Sequence, residues 1–156
     1  MLLVSVNNTN PDQLAHKSRC PTCADLEAVH EDLLRAMAEL ANAAQPDSPD
    51  PHRCITARWK LSKANRARRD LWETLHIHLQ SRVNGEDAEV LKRLAKANAE
   101  LRRASGLHIG RWSADAVAAD WEGYCRASRE IRWKIMSLVR HERRDLMPIV
   151  NTLDIR

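Results

Sequence analysis

At 156 residues the chain has the length of one domain, long enough to bury a sizeable core without disulfides. It carries 4 glycines, 1 tyrosine and no phenylalanine, so helix formers dominate, strand formers are scarce, and an all-α fold is expected. The formal net charge of +4 is small and its charges are interleaved, which gives little reason to expect a polyanion partner.

Residues 1–19 show no sustained periodicity, contain Asn-Thr-Asn-Pro, and read as an extended or mobile leader. The segment has no basic n-region and too short an apolar stretch for a signal peptide. No run of about 18 apolar residues exists, so no membrane span is expected and the cytoplasm is the expected location. The first helix is predicted over 21–44, opened by Pro21, and the stretch QPDSPDP at 45–51 is expected to be a tight connection. The second helix is predicted over 53–82, ending at Asn84-Gly85, a pair suited to a left-handed cap. The third spans 86–107, a short helical segment begins at Ser113, and a long last helix runs over 121–146 until Pro148 stops it. Residues 20–150 then form one unit and 151–156 a tail. Short loops between long helices make antiparallel neighbours, hence an up-down-up-down four-helix bundle with a short extra helix before the last. The 5 tryptophans are expected to fill gaps between helices.

Placing residues at about 100° each sorts the faces. The first helix gathers Leu26, Val29, Leu33, Met37, Leu40 and Ala41, with His30 among them. The second gathers Leu61, Ala64, Leu71, Leu75 and Leu79, with Arg68 in the stripe and Trp72 beside it. The third gathers Val90, Leu94, Ala97, Leu101 and Ala104, and brings Asn98, Ser105 and His108 towards the core. The last gathers Tyr124, Ser128, Ile131, Ile135, Leu138 and Leu146, with Glu142 inside the stripe. A lone buried charge is costly, so an inward Arg68 and an inward Glu142 are most simply a pair. His30 and Arg68 fall at one level of an antiparallel bundle, whereas Glu142 falls roughly 9 Å deeper, within reach of a long arginine only if helix boundaries are favourable. The alternative is that Arg68 snorkels and Glu142 lies at the edge of its stripe.

The tail RHERRDLMPIV, with Glu142, Asp145, Leu146 and Pro148, resembles the end of the last helix in hemerythrin-like, cation-binding HHE proteins. The preceding GRWSADAVAADWEGY is similar to the approach to that helix, and with His30 the resemblance covers residues 24–150. It implies a four-helix bundle holding two irons through inward histidines and carboxylates from all four helices, commonly with His-x-x-x-Glu on the second. The corresponding second-helix positions here are Arg68 and Trp72, neither of which ligates iron, and the inward pair on the last helix is Leu138 and Glu142. Only His30 and Glu142 survive as family-like metal ligands. A ligand set drawn from His76, His78, His108 and His141 with Glu73, Glu100 and Asp145 is disfavoured by depth.

Cys20 and Cys23 form a Cys-x-x-Cys at a helix start, a spacing that chelates metal or cycles as a disulfide, where the helix N-terminus is expected to lower the first thiol's pKa. His16, His76 and His78 are candidates to complete a zinc site with them. Cys54 and Cys125 begin the second and last helices and belong at the far end. The stretch ARWKLSKANRARR, residues 57–69, carries 6 basic residues and a tryptophan, but its charges scatter around the wheel as on a solvated surface.

No nucleophile and base constellation and no phosphate-binding glycine loop is visible, so catalysis is not expected. The leading expectation is a non-enzymatic, hemerythrin-like regulatory or sensory bundle with a degenerate di-iron site formed by His30, Arg68, Trp72, Leu138 and Glu142. It would act through a protein partner or through Cys20 and Cys23, with no resident cofactor; a homodimer is left open. The alternatives are a working di-iron protein that binds oxygen or nitric oxide or stores iron, a zinc-binding thiol site, and a basic nucleic-acid-binding module.

Overall fold

The computed structural model describes residues 19–154, and every regular element among them is helical. Helix α1 is Cys23–Ala43, α2 is Pro51–Leu79, α3 is Gly85–Arg111, α4 is the short Ala114–Ala119, and α5 is Trp121–His141. A π-helical turn, Glu142–Leu146, joins α5 to α6, Met147–Asp154. Most of the expected leader, and His16 with it, lies outside the described residues. No described helix is long and apolar enough to cross a membrane.

The helix starts follow side-chain capping chemistry. Thr22 accepts from the Asp25 N–H at 3.3 Å while the Asp25 carboxylate accepts from the Thr22 N–H at 2.8 Å, a reciprocal capping box. Pro21 therefore stands before the cap instead of opening the helix. Asp50 caps α2 by accepting from the Arg53 N–H at 3.0 Å. This puts Pro51 in the first turn, where its missing N–H costs nothing, and starts the helix two residues before Arg53. Ser113 caps α4 and Asp120 caps α5 in the same way. The second helix ends at Leu79, earlier than expected; Gly85 does take a positive φ of 56°, but at the opening of α3.

Pro148 does not stop the last helix. The intervening turn is wide, with the Met147 N–H donating to the Glu142 carbonyl five residues back. A proline ring collides with the carbonyl four residues before it in a regular α-helix, and a π turn just upstream displaces that carbonyl. The helix axis then continues as α6, which buries Ile149 and Val150 against α1.

Helix α1 packs along α2, α3 along α5, and α1 also touches α5 and α6, whereas α2 and α3 meet sparingly. The shared interior is mainly leucine and small aliphatics, including Leu26, Leu33, Leu40, Leu75, Leu79 and Leu146, each at most 2% exposed. Within α1, Ala36 and Ala43 are buried while Val29 and Ala41 are only half-buried, a small rotation of the expected face. Trp72, Trp112 and Trp121 fill the interior as expected, and the Trp121 indole N–H donates to the Gln45 carbonyl at 2.8 Å. Trp59 and Trp133 do not, being 64% and 65% exposed.

A buried arginine, glutamate and histidine network as the candidate site

Among the described residues, five polar ones lie buried in the interior: His30 on α1, Arg68 on α2, Asn98 on α3, Ser128 on α5 and Glu142 at the head of the π turn. Four of them form one network. The Glu142 carboxylate is 0% exposed; its Oε1 accepts from the Arg68 guanidinium at 2.6 Å and its Oε2 lies 2.7 Å from His30 Nε2. The same Arg68 nitrogen donates to Asn98 Oδ1 at 2.9 Å, and Arg68 Nε donates to Asn65 Oδ1 at 3.3 Å. Asn98 in turn donates through its amide to the Leu94 carbonyl at 2.9 Å, which fixes the orientation of the oxygen that Arg68 uses.

A protonated arginine beside an ionised carboxylate cancels charge in a place where neither could stand alone. The amide oxygens of Asn98 and Asn65 take guanidinium protons that one carboxylate cannot reach. His30 Nδ1 is enclosed without a hydrogen-bond partner, so the ring is best satisfied by the tautomer that carries its proton on Nε2 and donates it to Glu142. A bare ring nitrogen costs less when left unpaired than an N–H would.

His30, Arg68 and Glu142 are thus brought together, with Trp72 and Leu138 buried at 4% exposure each. Trp72 stacks on His76, ring centroids 5.3 Å apart, and offers no ligand. The donors present do not fit the iron centre that the resemblance implies. Both oxygens of Glu142 and the oxygen of Asn98 are engaged by protein groups, and a cation would have to share the space with a guanidinium already in contact with the carboxylate. Among the described residues, no three His, Cys, Asp or Glu side chains converge as a metal-holding group. His76, His78, His108 and His141 accordingly join no such group with Glu73, Glu100 and Asp145.

Asn65 and Asn98 extend the site beyond the residues picked out by charge. Asn65 precedes Arg68 by three positions on one helix, a spacing that puts the two side chains side by side.

Cys20, Cys23, Cys54 and Cys125 are all free thiols. Cys23 Sγ donates to the Met147 carbonyl at 3.3 Å and Cys20 Sγ to the Pro21 carbonyl at 3.7 Å. Burial pushes both thiols above the ordinary cysteine value, the reverse of the lowering expected from a helix N-terminus. Desolvation is the leading cause for both, and Cys20 itself lies outside the helix. At the other end, burial also raises Cys54 and Cys125, and Cys125 feels Cys54 as a neighbour. Tyr124 lies beside Cys54 and Ser128, and burial first, then Cys54, pushes its phenol well above the ordinary range. Its hydroxyl and that of Ser128 are enclosed without a hydrogen bond of ordinary geometry.

The basic stretch of α2 is divided among separate tasks. Arg68 is buried in the network, Lys60 pairs with Glu39 at 2.8 Å, Lys63 lies over the Trp59 ring, and Arg58 donates to the Trp112 carbonyl at 2.6 Å. Compared with protein-family models, curated proteins and solved structures, the chain matches none.

Proposed function

We propose that this chain is an up-down-up-down four-helix bundle of the hemerythrin-like kind whose iron site has been replaced by a hydrogen-bonded ionic network, and that it serves a non-enzymatic regulatory or sensory role. The observation that carries the reading is the buried Arg68 guanidinium seated 2.6 Å from the Glu142 carboxylate; the resemblance implies a metal ligand at that second-helix position. His30 and Glu142 keep ligand chemistry and inward placement, yet each satisfies the other at 2.7 Å. A network of this kind fixes how helices are paired and engages both carboxylate oxygens of Glu142. On this reading the protein acts through a protein partner in the cytoplasm, and the raised thiols of Cys20 and Cys23 give no support to a redox role for them.

The test is iron loading. Full-length protein is treated with ferrous iron without oxygen, exposed to air, desalted and analysed for metal and for near-ultraviolet absorption. Iron well below one per chain, with no oxo-bridge charge-transfer band, is the expected result; two irons per chain with that band would establish a working di-iron protein instead.

A further inference from the structure

Where α2 and α3 meet sparingly, the gap between them opens into a cavity of about 300 Å³. That is the lower end of the range in which proteins hold small ligands. Its floor is apolar, formed by Leu40, Leu61, Ile131 and Ile135 from three helices. Three arginines of α2, Arg58, Arg66 and Arg69, line the same space, and no aspartate or glutamate does. None of the three forms an ion pair among the described residues. Arg58 is held by the Trp112 carbonyl and lies 5.2 Å from the centre of the Tyr124 ring, so Arg66 and Arg69 are the uncommitted cations.

Two further features suit an occupant with both an apolar and a polar part. Ser105 lines the cavity, and its hydroxyl, enclosed without a protein hydrogen-bond partner, would meet a ligand oxygen after a side-chain rotation. Trp59 and Ile109, also lining it, are 64% and 57% exposed, apolar surface that a hydrocarbon body would cover.

We propose that this cavity binds a small amphipathic anion, a carboxylate carried on a hydrocarbon body, with the hydrocarbon on the leucine and isoleucine floor and the carboxylate between Arg66 and Arg69. A guanidinium gives a carboxylate paired hydrogen bonds, and the cleft walls keep the charges from being fully screened. The assignment does not rest on the reading of the core network, which the cavity meets at Asn65, the acceptor for Arg68 Nε.

Decanoate, kept below its micelle-forming concentration, is the probe. Full-length, isotope-labelled protein is titrated with decanoate, with decylammonium, which has the same chain and the opposite charge, and with acetate, which has the charge and no chain. Saturable shifts of the Ser105, His108 and Ile109 amides with decanoate are expected, with decylammonium at least about tenfold weaker and acetate silent. Arg66→Gln with Arg69→Gln should weaken decanoate by about tenfold at an unchanged circular dichroism spectrum; should that pair misfold, the exposed Arg66→Gln alone is read for the same loss. Absence of saturable shifts, shifts confined to other surfaces, equal binding of decylammonium, or indifference to the arginine substitutions would each overturn the proposal.

Discussion

Replacing Arg68 by methionine keeps the helix and most of the side-chain volume but removes the guanidinium in contact with Glu142, whose side chain is 0% exposed. The carboxylate is left with His30 alone, and Asn98 Oδ1 loses its donor as well. Breaking a buried pair from one side costs about 3–5 kcal/mol, because a charge is stranded where water cannot reach it. The loss is large against the roughly 5–15 kcal/mol that holds a typical domain folded. Urea unfolding followed by far-ultraviolet circular dichroism measures it, and an unchanged slope shows that the folded and unfolded states still differ by the same surface. The partner variant, Arg68→Met with Glu142→Leu, removes both charges and should recover most of the loss or exceed the parent, since apolar replacements of buried pairs are often neutral or stabilising by about 1–4 kcal/mol. The sign of the non-additivity carries the test. A change under about 1 kcal/mol for Arg68→Met, or single-variant losses that simply add in the double variant, would refute the buried pair.

Other consequences follow from the caps and thiols. The Arg19 guanidinium, hydrogen-bonded at 2.9 and 3.0 Å, holds the Asp25 carboxyl down at about 2 against the opposing effect of burial, with Thr22 assisting. A carboxyl lowered on folding stabilises the native state above its ordinary value near 3.8 and loses that contribution as pH falls towards about 2; Asp25→Asn should flatten this part of the acid-denaturation profile. Because burial raises all four thiols, iodoacetamide labelling of the native protein at neutral pH should run slower than that of free cysteine and accelerate above the ordinary thiol value. Faster labelling of Cys20 or Cys23 would contradict the desolvated environment. At Gly123 an added Cβ would run into the Asp120 carboxylate that caps α5, so Gly123→Ala should cost about 1 kcal/mol in thermal or urea unfolding through the lost cap.

Arg68 and Glu142 were legible because each falls in an apolar stripe, and an isolated buried charge demands a partner. Their depth was harder to read. The Asp50 cap starts α2 two residues before the expected position, which carries Arg68 about 3 Å further along and narrows the gap that its long side chain spans. Asn98 was visible as polar and inward, but its partner lies on another helix, and a wheel drawn for one helix cannot show contacts with the next. Asn65 could have been found from its spacing alone. The continuation through Pro148 was illegible, since residue propensities anticipate a break at proline and carry no signal for the π turn that accommodates it. Trp59 and Trp133 are exposed for a different reason: each sits two positions from a core residue, Leu61 and Ile131, on the opposite side of its helix, a phase that aromatic bulk does not override.

The central claim is that His30 is a member of a hydrogen-bonded network and not a metal ligand, and its ring protonation reads this most directly. Ring ¹⁵N shifts of His30, assigned by comparison with His30→Gln in the full-length protein near neutral pH, distinguish the two nitrogens. The proton is predicted to reside on Nε2, facing Glu142 Oε2 at 2.7 Å, with Nδ1 bare. A bare Nε2 with the proton on Nδ1, the form that offers a lone pair to a metal at the centre of the bundle, would contradict it.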